Sequence, residues 1–342
     1  MRCNLHCIMC PWYEMRSPTA DMSWETYEKI AKSFREVEEV DLTGGGEPLI
    51  HPLLLRMLTL AKESGCAVGF STNATLLTPE LSEELLHISL DWIAYSVDGA
   101  TAQTYEKIRQ GASFEQVIDH VTFLDRLRKT GNGKTPLTML FFVMMPDNFH
   151  EPPVLVDLCL RLNIDRLVIK NQDVILNMER DRERLFTWDG HEPRELRRIV
   201  RASMKKARRN GLYMRVYDLS PGEMRICEHD PLNTAFFNWE GFVSPCITLS
   251  YAEKRVFRGE WRKAPICRFG NINDESFGEI WAAPAYQRFR DCFEKRTKSL
   301  RPEFLDLLTL ERFRGRGPTD SMILPPPPDG CETCHYLYRG LM

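Results

Sequence analysis

The sequence lacks a long apolar run and an excess of charge of one sign, and each absence excludes a class of protein. No apolar run approaches the roughly 20 residues that a membrane-spanning helix needs, and no secretory signal peptide opens the chain. The 45 Lys and Arg residues nearly balance 48 Asp and Glu residues, for a formal net charge of −3, so no overall attraction to nucleic acid or membranes is expected. We therefore predict a cytoplasmic protein without a membrane or nucleic-acid partner.

The composition also lacks the bias of disordered or fibrous chains. Hydrophobic residues make up 43% and charged residues 27% of the 342 residues, and these values exclude disorder, collagen and coiled coil. The length suits one large α/β domain or a core with an appendage.

Cysteine is the residue in unusual supply. The eleven cysteines stand at positions 3, 7, 10, 66, 159, 227, 246, 267, 292, 331 and 334. In a reducing cytosol a disulfide framework is not favoured, so they are predicted to be buried thiols or metal ligands. Cys66 and Cys159 lie in apolar stretches and are predicted to be core thiols.

Strands alternate with helices through the first 210 residues. Ser23 is suited to cap the first helix. The predicted strands cover 39–43, 66–72, 91–97, 137–144 and 166–170, and the predicted helices cover 24–37, 52–64, 79–87, 101–130, 150–162 and 193–210. This alternation predicts an α/β fold of parallel βαβ units with right-handed crossovers.

Polar residues and glycines follow the carboxyl ends of these strands, where such folds place their chemistry. The segments are 44–48, 71–73, 96–99 and 171–172. The glycines at 44–46 directly follow a strand, where bare backbone can approach a ligand closely, and Glu47 is an acceptor suited to a cationic group. The spacing alone leaves a ligand loop and an ordinary turn equally open.

Three cysteines near the start, Cys3, Cys7 and Cys10, form a C-x3-C-x2-C run. This spacing also fits one face of a helix, but Pro11 and the position at the chain start argue against a buried helix. Three thiolates bind a metal centre readily, and three ligands leave a [4Fe–4S] cluster with one iron open to an exogenous ligand. A zinc site completed by an Asp or by His6 is the alternative.

The motifs together resemble the radical S-adenosylmethionine (radical SAM) superfamily. The cysteine run matches its cluster motif, residues 45–48 its methionine-binding loop, 71–73 and 96–99 its strand-end motifs, and 105–111 the segment that follows them. The resemblance implies a partial (β/α)6 barrel. It also implies that reduction of cluster-bound S-adenosylmethionine yields a 5′-deoxyadenosyl radical, which abstracts hydrogen from the substrate.

The resemblance further implies roles for individual residues. Cys3, Cys7 and Cys10 would hold the cluster that binds S-adenosylmethionine. Around this cofactor, Gly45, Gly46 and Glu47 would face its amino group, Asn73 and Ser96 would lie near its ribose or carboxylate, and Arg109 would contact its carboxylate. A flavodoxin- or ferredoxin-type protein would supply electrons.

The sequence departs from the family pattern in two places. Met9 stands where the family often has an aromatic residue. Only Met1 and Arg2 precede Cys3, so the strand that normally leads into the cluster loop would be missing. The five predicted strands and this missing strand together would make the six strands of the barrel. We therefore expect a chain that starts one strand late, with an open barrel edge that favours aggregation.

A composition change near residue 217 predicts a core of residues 1–216 and a second domain of residues 217–342. In the second domain Cys227, Gly241 and Cys246 form a C-x13-G-x4-C pattern around a hairpin predicted over 236–243. This pattern and residues 267–281 resemble the auxiliary-cluster extension called SPASM, and in particular its shorter twitch version.

The resemblance implies one auxiliary [4Fe–4S] cluster on four thiolates, those of Cys227, Cys246, Cys331 and Cys334. A structural zinc site is the alternative, because four cysteines that include a C-x2-C pair also describe a zinc ribbon. Cys292 is predicted to be a core thiol. Cys267 is left either to replace one ligand or to contact the substrate.

Three functions fit these observations. The first is a radical enzyme that oxidises or rearranges a small metabolite, such as a sugar, aminocyclitol or nucleoside. The second is a radical enzyme that modifies a peptide or protein. The third is a zinc-stabilised binding protein without catalysis. The basic helix at 193–210 has an apolar opposite face, which favours a solvated outer helix over an RNA site. No general base can be named from the sequence.

Overall fold

Six parallel strands build the main sheet, and each pairs with the next one along the chain. They are β1 (Glu39–Asp41), β2 (Ala67–Thr72), β3 (Trp92–Ser96), β4 (Leu137–Val143), β5 (Arg166–Lys170) and β6 (Tyr213–Val216). The computed structural model describes residues 2–14, 20–131, 135–251, 254–299 and 324–338. Within these ranges β1 and β6 each pair with one strand, so the sheet is open, as a partial barrel requires.

Helices connect the strands, and most of them pack on one face of the sheet, whereas the short helices at 11–14 and 178–182 contribute residues to a cavity on the other face. The helices are α1 (Pro11–Glu14), α2 (Trp24–Ala31), α3 (Leu54–Glu63), α4 (Pro79–His87), α5 (Ala102–Ile108), α6 (Phe114–Thr130), α7 (Pro152–Arg161), α8 (Met178–Arg182) and α9 (Arg194–Arg209). Right-handed crossovers between consecutive strands place their helices on the same face. Since side chains alternate along a strand, Phe70 and Tyr95 enter the main hydrophobic core, whereas Ser71 and Ser96 line a cavity on the other face.

The local signals at several helix ends are confirmed. Thr26 N donates to the Ser23 side-chain oxygen at 3.1 Å at the start of α2. At the end of α9, Gly211 has a φ of +72°, a left-handed conformation that glycine adopts without strain and that terminates a helix.

The structure adds two details to the predicted order. The helical region predicted over 101–130 consists of two helices, because α5 ends at Ile108 and α6 begins at Phe114, and Gly111 between them has a φ of +94°. The sheet also contains β6, a strand beyond the five predicted. Its four residues begin with Tyr213, which is 58% exposed, so the apolar pattern of this strand is weak.

The residues after 217 form smaller elements around a second core. The strands are β7 (Phe236–Phe237), β8 (Phe242–Ser244), β9 (Lys254–Phe257), β10 (Glu260–Lys263) and β11 (Gly270–Asn271), and the helices are α10 (Ile247–Tyr251), α11 (Phe277–Ala282) and α12 (Pro284–Lys298). The predicted hairpin is confirmed, because β7 pairs antiparallel with β8 and Gly241 turns between them with a φ of +87°. The buried residues of this core include Val243, Leu249, Tyr286, Phe293 and Cys331.

Hydrogen bonds connect the second core to the first. Val256 N in β9 donates to Ile175 O at 2.8 Å, and the Thr26 hydroxyl in α2 donates to Asn273 Oδ1 at 3.3 Å. The predicted boundary between residues 216 and 217 coincides with the end of β6 and remains a prediction. In the described part of the chain, no helix has both the length and the apolar character needed to cross a bilayer.

Candidate functional site

The cysteine loop, residues 3–10, is held on both sides by backbone hydrogen bonds. On one side Glu47 N donates to Arg2 O at 2.8 Å, and on the other Ile8 N donates to Ile108 O at 2.9 Å. The glycine loop after β1 and the segment after α5 are therefore the two supports of the cysteine loop. This contact gives a physical reason for the three motifs to occur together.

Gly46 lets the glycine loop touch the cysteine loop directly. A β-carbon on Gly46 would lie 2.1 Å from Arg2 O, which is far inside van der Waals contact. Gly44, two residues earlier, has no atom within 4 Å of the equivalent position. The close approach is therefore specific to Gly46, and only a residue without a side chain permits it.

All nine residues predicted for the first centre line one cavity of about 240 Å³. They are Cys3, Cys7, Cys10, Gly45, Gly46, Glu47, Asn73, Ser96 and Arg109. Residues 172–176 and Arg180 also line it. The cavity lies where the carboxyl ends of the parallel strands meet, which is the usual ligand position in such folds.

Glu47 is buried, and both of its carboxylate oxygens are occupied. Oε1 accepts hydrogen bonds from the Thr72 hydroxyl at 2.6 Å and from Leu49 N at 3.1 Å, and Oε2 accepts one from Asn73 N at 2.7 Å. Burial raises the pKa of Glu47, and these donors oppose the rise. Glu47 thus ties the glycine loop to the end of β2, and its predicted contact with an amino group stays a prediction.

Asn73 links the end of β2 to the cysteine loop. Its amide nitrogen donates to Asn4 Oδ1 at 3.0 Å and lies 3.9 Å from Cys3 Sγ. Its side-chain oxygen accepts from Thr75 N at 3.0 Å and from the Thr75 hydroxyl at 2.7 Å. The Asn73 amide is therefore fixed in one orientation, next to the first thiol.

Arg109 is a buried cation fixed by Asp98. Arg109 Nε donates to Asp98 Oδ2 at 2.7 Å, and Nη2 lies 2.6 Å from the same oxygen. Nη1 lies 4.0 Å from Cys7 Sγ. Burial alone would lower the pKa of Arg109, but Asp98, together with Cys7 and Tyr105, raises it overall. The guanidinium therefore stays charged at the cavity wall.

Burial favours the protonated form of two thiols of the first centre, Cys3 and Cys7. Burial raises the pKa of Cys3, and it raises the pKa of Cys7 to about 11 although Arg109 opposes the change. A bound metal would displace these protons, because the thiolate is the ligand.

Four cysteines of the second core lie together as predicted. Cys227, Cys246 and Cys334 each act on the pKa of the Cys331 thiol, which burial and these neighbours raise strongly. Burial and the neighbouring thiols also raise the pKa of Cys227 to about 12 and that of Cys246 to about 11. The loop between β6 and β7, the end of β8 and the C-terminal segment thus bring the four cysteines into one site.

Both cysteine sets fit iron–sulfur clusters in number and placement. Within the described residues, no three His, Cys, Asp or Glu side chains surround a point closely enough to hold a single metal ion. A four-iron cluster makes a different demand, because each iron takes its own cysteine. Three thiols at one cavity and four thiols in one core meet that demand.

The remaining cysteines fall into two groups. Cys66 and Cys159 are buried in the main core, which confirms the prediction. Cys292 lies on α12 with intermediate exposure, because it is at the side of the helix rather than on its apolar face. Its prediction as a core thiol is therefore wrong. For Cys267, burial and Asp329 raise the pKa and Arg255 lowers it.

Sequence reasoning missed three residues that shape the first centre. Asp98 lies in the strand-end motif 96–99, and its position before a glycine at the end of β3 could have indicated its role. Thr72 precedes Asn73 and anchors Glu47. Arg180 in α8 donates to the carbonyl of Ile8 and lines the cavity, but nothing in the surrounding pattern distinguishes it from other surface arginines.

Two family models match the chain. The radical SAM superfamily matches residues 1–159. The SPASM model, an iron–sulfur cluster-binding domain, matches residues 227–303. Together these domains bind the three cofactors predicted from the sequence. They are S-adenosylmethionine, the [4Fe–4S] cluster that binds it and an auxiliary [4Fe–4S] cluster.

Curated relatives and solved structures agree with this assignment. The chain is 30% identical over 296 residues to the tungsten-containing aldehyde ferredoxin oxidoreductase cofactor-modifying protein of Pyrococcus furiosus, covering 84% of this chain and 80% of the relative. It is 27% identical over 172 residues to the PqqA peptide cyclase of Rhodopseudomonas palustris, covering 50% of this chain and 44% of the relative.

A solved structure, Streptococcus suis SuiB bound to the precursor peptide SuiA, shares the fold. It has a TM-score of 0.61 and 16% sequence identity, over 85% of this chain and 64% of that chain. The chain thus spans less than two thirds of SuiB. The cysteine motifs and the sheet agree with the two family models and with the long Pyrococcus match. The chain therefore belongs to the radical SAM superfamily, to its branch with a SPASM-type auxiliary-cluster domain.

Proposed function

We propose that this radical SAM enzyme abstracts a hydrogen atom from a small metabolite and then oxidises or rearranges it with the help of its auxiliary cluster. The observation that carries the proposal is the pair of thiol sets, three at the cavity and four in the second core. A site with three thiols leaves one iron open for a cofactor, whereas a site with four leaves none. The second centre therefore suits electron transfer.

Seven cysteines would hold the two clusters. We assign Cys3, Cys7 and Cys10 to the cluster that binds S-adenosylmethionine, and Cys227, Cys246, Cys331 and Cys334 to the auxiliary cluster. When bound, S-adenosylmethionine and the first cluster supply a 5′-deoxyadenosyl radical on one-electron reduction.

The other cavity residues would orient the cofactor. Asp98 fixes the Arg109 guanidinium, whose planar set of donors matches a carboxylate. The backbone of Gly45 and Gly46 faces the cavity and suits an amino group, with the buried charge of Glu47 behind it. Asn73 and Ser96 line the same space and suit hydroxyl or carboxylate groups, which is consistent with the ribose or the methionine end.

One part of the cavity wall is available to a substrate. Residues 173–176 line the cavity and belong to none of the cofactor motifs, so they are open to contact with a small substrate. The Pyrococcus relative, named as a cofactor-modifying protein, supports the same choice.

The proposal includes a cellular setting. Cleavage of the cofactor needs an electron, and we infer a flavodoxin- or ferredoxin-type donor. A cytoplasmic location suits eleven cysteines without disulfides, because reducing conditions keep thiols free. We place the boundary between the radical SAM core and the auxiliary-cluster domain between residues 216 and 217.

Anaerobic reconstitution tests the assignment of the two clusters. The intact protein should contain about eight irons per chain with matching sulfide, and with a reductant it should form 5′-deoxyadenosine. Cys7→Ala should lose about four irons and all cleavage. Cys331→Ala should lose a similar amount of iron but retain uncoupled cleavage.

Cys292→Ala is the matched control, because Cys292 is assigned to neither centre, and this variant should keep both properties. Zinc without sulfide in the intact protein would overturn the proposal. Normal 5′-deoxyadenosine formation by Cys7→Ala would overturn the assignment of the first centre.

A peptide substrate is the second candidate. The matches to PqqA peptide cyclase and to SuiB with its bound peptide favour it. The enzyme can be incubated with a deuterated cell extract that has been separated into peptides and small metabolites, and deuterium in 5′-deoxyadenosine can be measured. Deuterium from the metabolite fraction supports the first proposal. Deuterium only from the peptide fraction, abolished by prior protease treatment, establishes the second candidate instead.

A further inference from the structure

Arg255 is a buried arginine without a hydrogen-bond partner in the described part of the chain. It lies on β9 and is 2% exposed. Its Nε, Nη1 and Nη2 atoms all lack an acceptor there. A guanidinium remains protonated in proteins, so this position holds a full positive charge away from water.

The other buried arginines show how unusual this is. Arg109 is paired with Asp98, Arg128 with Asp125 and Asp165. Arg296 and Arg290 donate to backbone carbonyls. Burying an ion without a partner is strongly unfavourable. A negatively charged group that the protein binds would remove this cost.

Arg255 is close to the second set of thiols. Its charge lowers the pKa of Cys331 and also that of Cys267, against burial in both cases. Asp329 raises the pKa of Cys267, which is the opposite effect, but it accepts no hydrogen bond from Arg255. Arg255 therefore acts on the cysteine site through its charge, while its own donors are unused in the described part of the chain.

We propose that Arg255 is the counter-cation of the auxiliary cluster and raises its reduction potential. Four thiolates make the bound cluster an anion, and one-electron reduction adds a further negative charge. A nearby fixed cation stabilises the reduced form more than the oxidised form, and hydrogen bonds to the sulfur atoms act in the same direction. Arg255 is a positioning residue here, because it acts on the cluster and not on the substrate. The inference rests on the auxiliary cluster of the proposed function.

The reduction potential of the auxiliary cluster tests this role directly. Full-length reconstituted enzyme is titrated anaerobically and followed by electron paramagnetic resonance. The signal of the first cluster is identified with a variant in which Cys3, Cys7 and Cys10 are replaced by Ala. Arg255→Met should lower the ratio of reduced to oxidised auxiliary cluster at least tenfold at a fixed potential, which is a shift of about 59 mV for one electron.

Two further variants act as controls. Arg262 lies directly opposite Arg255 in β10, is exposed and pairs with Glu260, so Arg262→Met removes the same charge from the neighbouring strand. It should leave the potential unchanged. Arg255→Lys keeps the charge and should retain at least half of the difference between wild type and Arg255→Met.

The outcomes separate this inference from the proposed function. Wild-type protein without an auxiliary-cluster signal refutes the second cluster itself. A full auxiliary cluster with an unchanged potential in Arg255→Met overturns the role of Arg255 alone. If Arg255→Met does not bind the auxiliary irons, Arg255→Lys decides: recovery of iron and potential supports the role, and continued loss of iron overturns it.

Discussion

At the scale of single residues, the first centre is shaped by groups that perform no chemistry themselves. Gly46 allows two loops to touch, and the Glu47 carboxylate holds the end of β2 against them. Asp98 fixes the direction of Arg109. Radical chemistry needs reacting groups held within fractions of an ångström, and these three residues supply that rigidity.

Gly46→Ala should separate the two loops and disturb the first cluster. The new methyl group would meet Arg2 O at 2.1 Å, and a backbone atom cannot move aside as a flexible side chain can. We expect at least a tenfold loss of 5′-deoxyadenosine formation and loss of iron from the first centre, measured by anaerobic assay and iron analysis.

Gly44→Ala provides the control for this change, because its β-carbon would have no atom within 4 Å. It should keep activity and iron content within about a factor of two. Equal losses in both variants would show that the loop is sensitive to any substitution, and would contradict the role assigned to the Gly46 contact.

At the scale of elements, the sequence predicted those parts whose signals are local. Five strands of the sheet follow from apolar runs, and the hairpin follows from Gly241 and its neighbours. Gly111 interrupts the long predicted helix, but glycine within a helical pattern is often tolerated, so its effect could not be read in advance. Arg180 and Arg255 act on residues that are distant from them in the sequence. A single sequence does not reveal such effects.

Helix α12 supports the second centre through one buried residue. Arg296 is fully buried and donates to Arg225 O at 2.9 Å and to Met224 O at 2.7 Å, just before Cys227. It also donates to the carbonyl of Pro325, in the segment that leads to Cys331. One side chain thus holds both chain segments that deliver cysteines.

Arg296→Met should loosen both segments at once. Removing the cation leaves three part-buried carbonyls and Glu223 without their donor, and the loss of such hydrogen bonds destabilises a protein by about 1–3 kcal/mol. We expect a lower midpoint in chemical denaturation and substoichiometric auxiliary iron, with the first cluster retained. Lys298→Met on the same helix removes an exposed charge paired with Glu294 and should change neither, within about 0.5 kcal/mol.

At the scale of the whole molecule, the auxiliary cluster would act as a cross-link. It would join Cys227 and Cys246 to Cys331 and Cys334, far apart in sequence, and closing a long loop removes entropy from the unfolded chain, as a disulfide does. The C-terminal segment, residues 324–338, should therefore depend on the cluster for its attachment.

Removal of iron should expose this segment to proteases. We expect treatment with a chelator or with oxygen to raise the rate of cleavage within residues 324–338 at least tenfold, as followed by mass spectrometry, while the six-stranded sheet stays resistant. Cys331→Ala should show the high rate even before treatment. A segment that stays protected without iron would contradict the cross-link.

The consecutive order of the strands has a consequence for how the protein is made. Because each strand pairs with the next in sequence, every βα unit can dock on the one before it as the chain leaves the ribosome. The cysteine loop is different, since it is synthesised before both of its supports. The second centre waits for Cys331 and Cys334. Its loading with iron therefore has to follow the emergence of these last two cysteines from the ribosome.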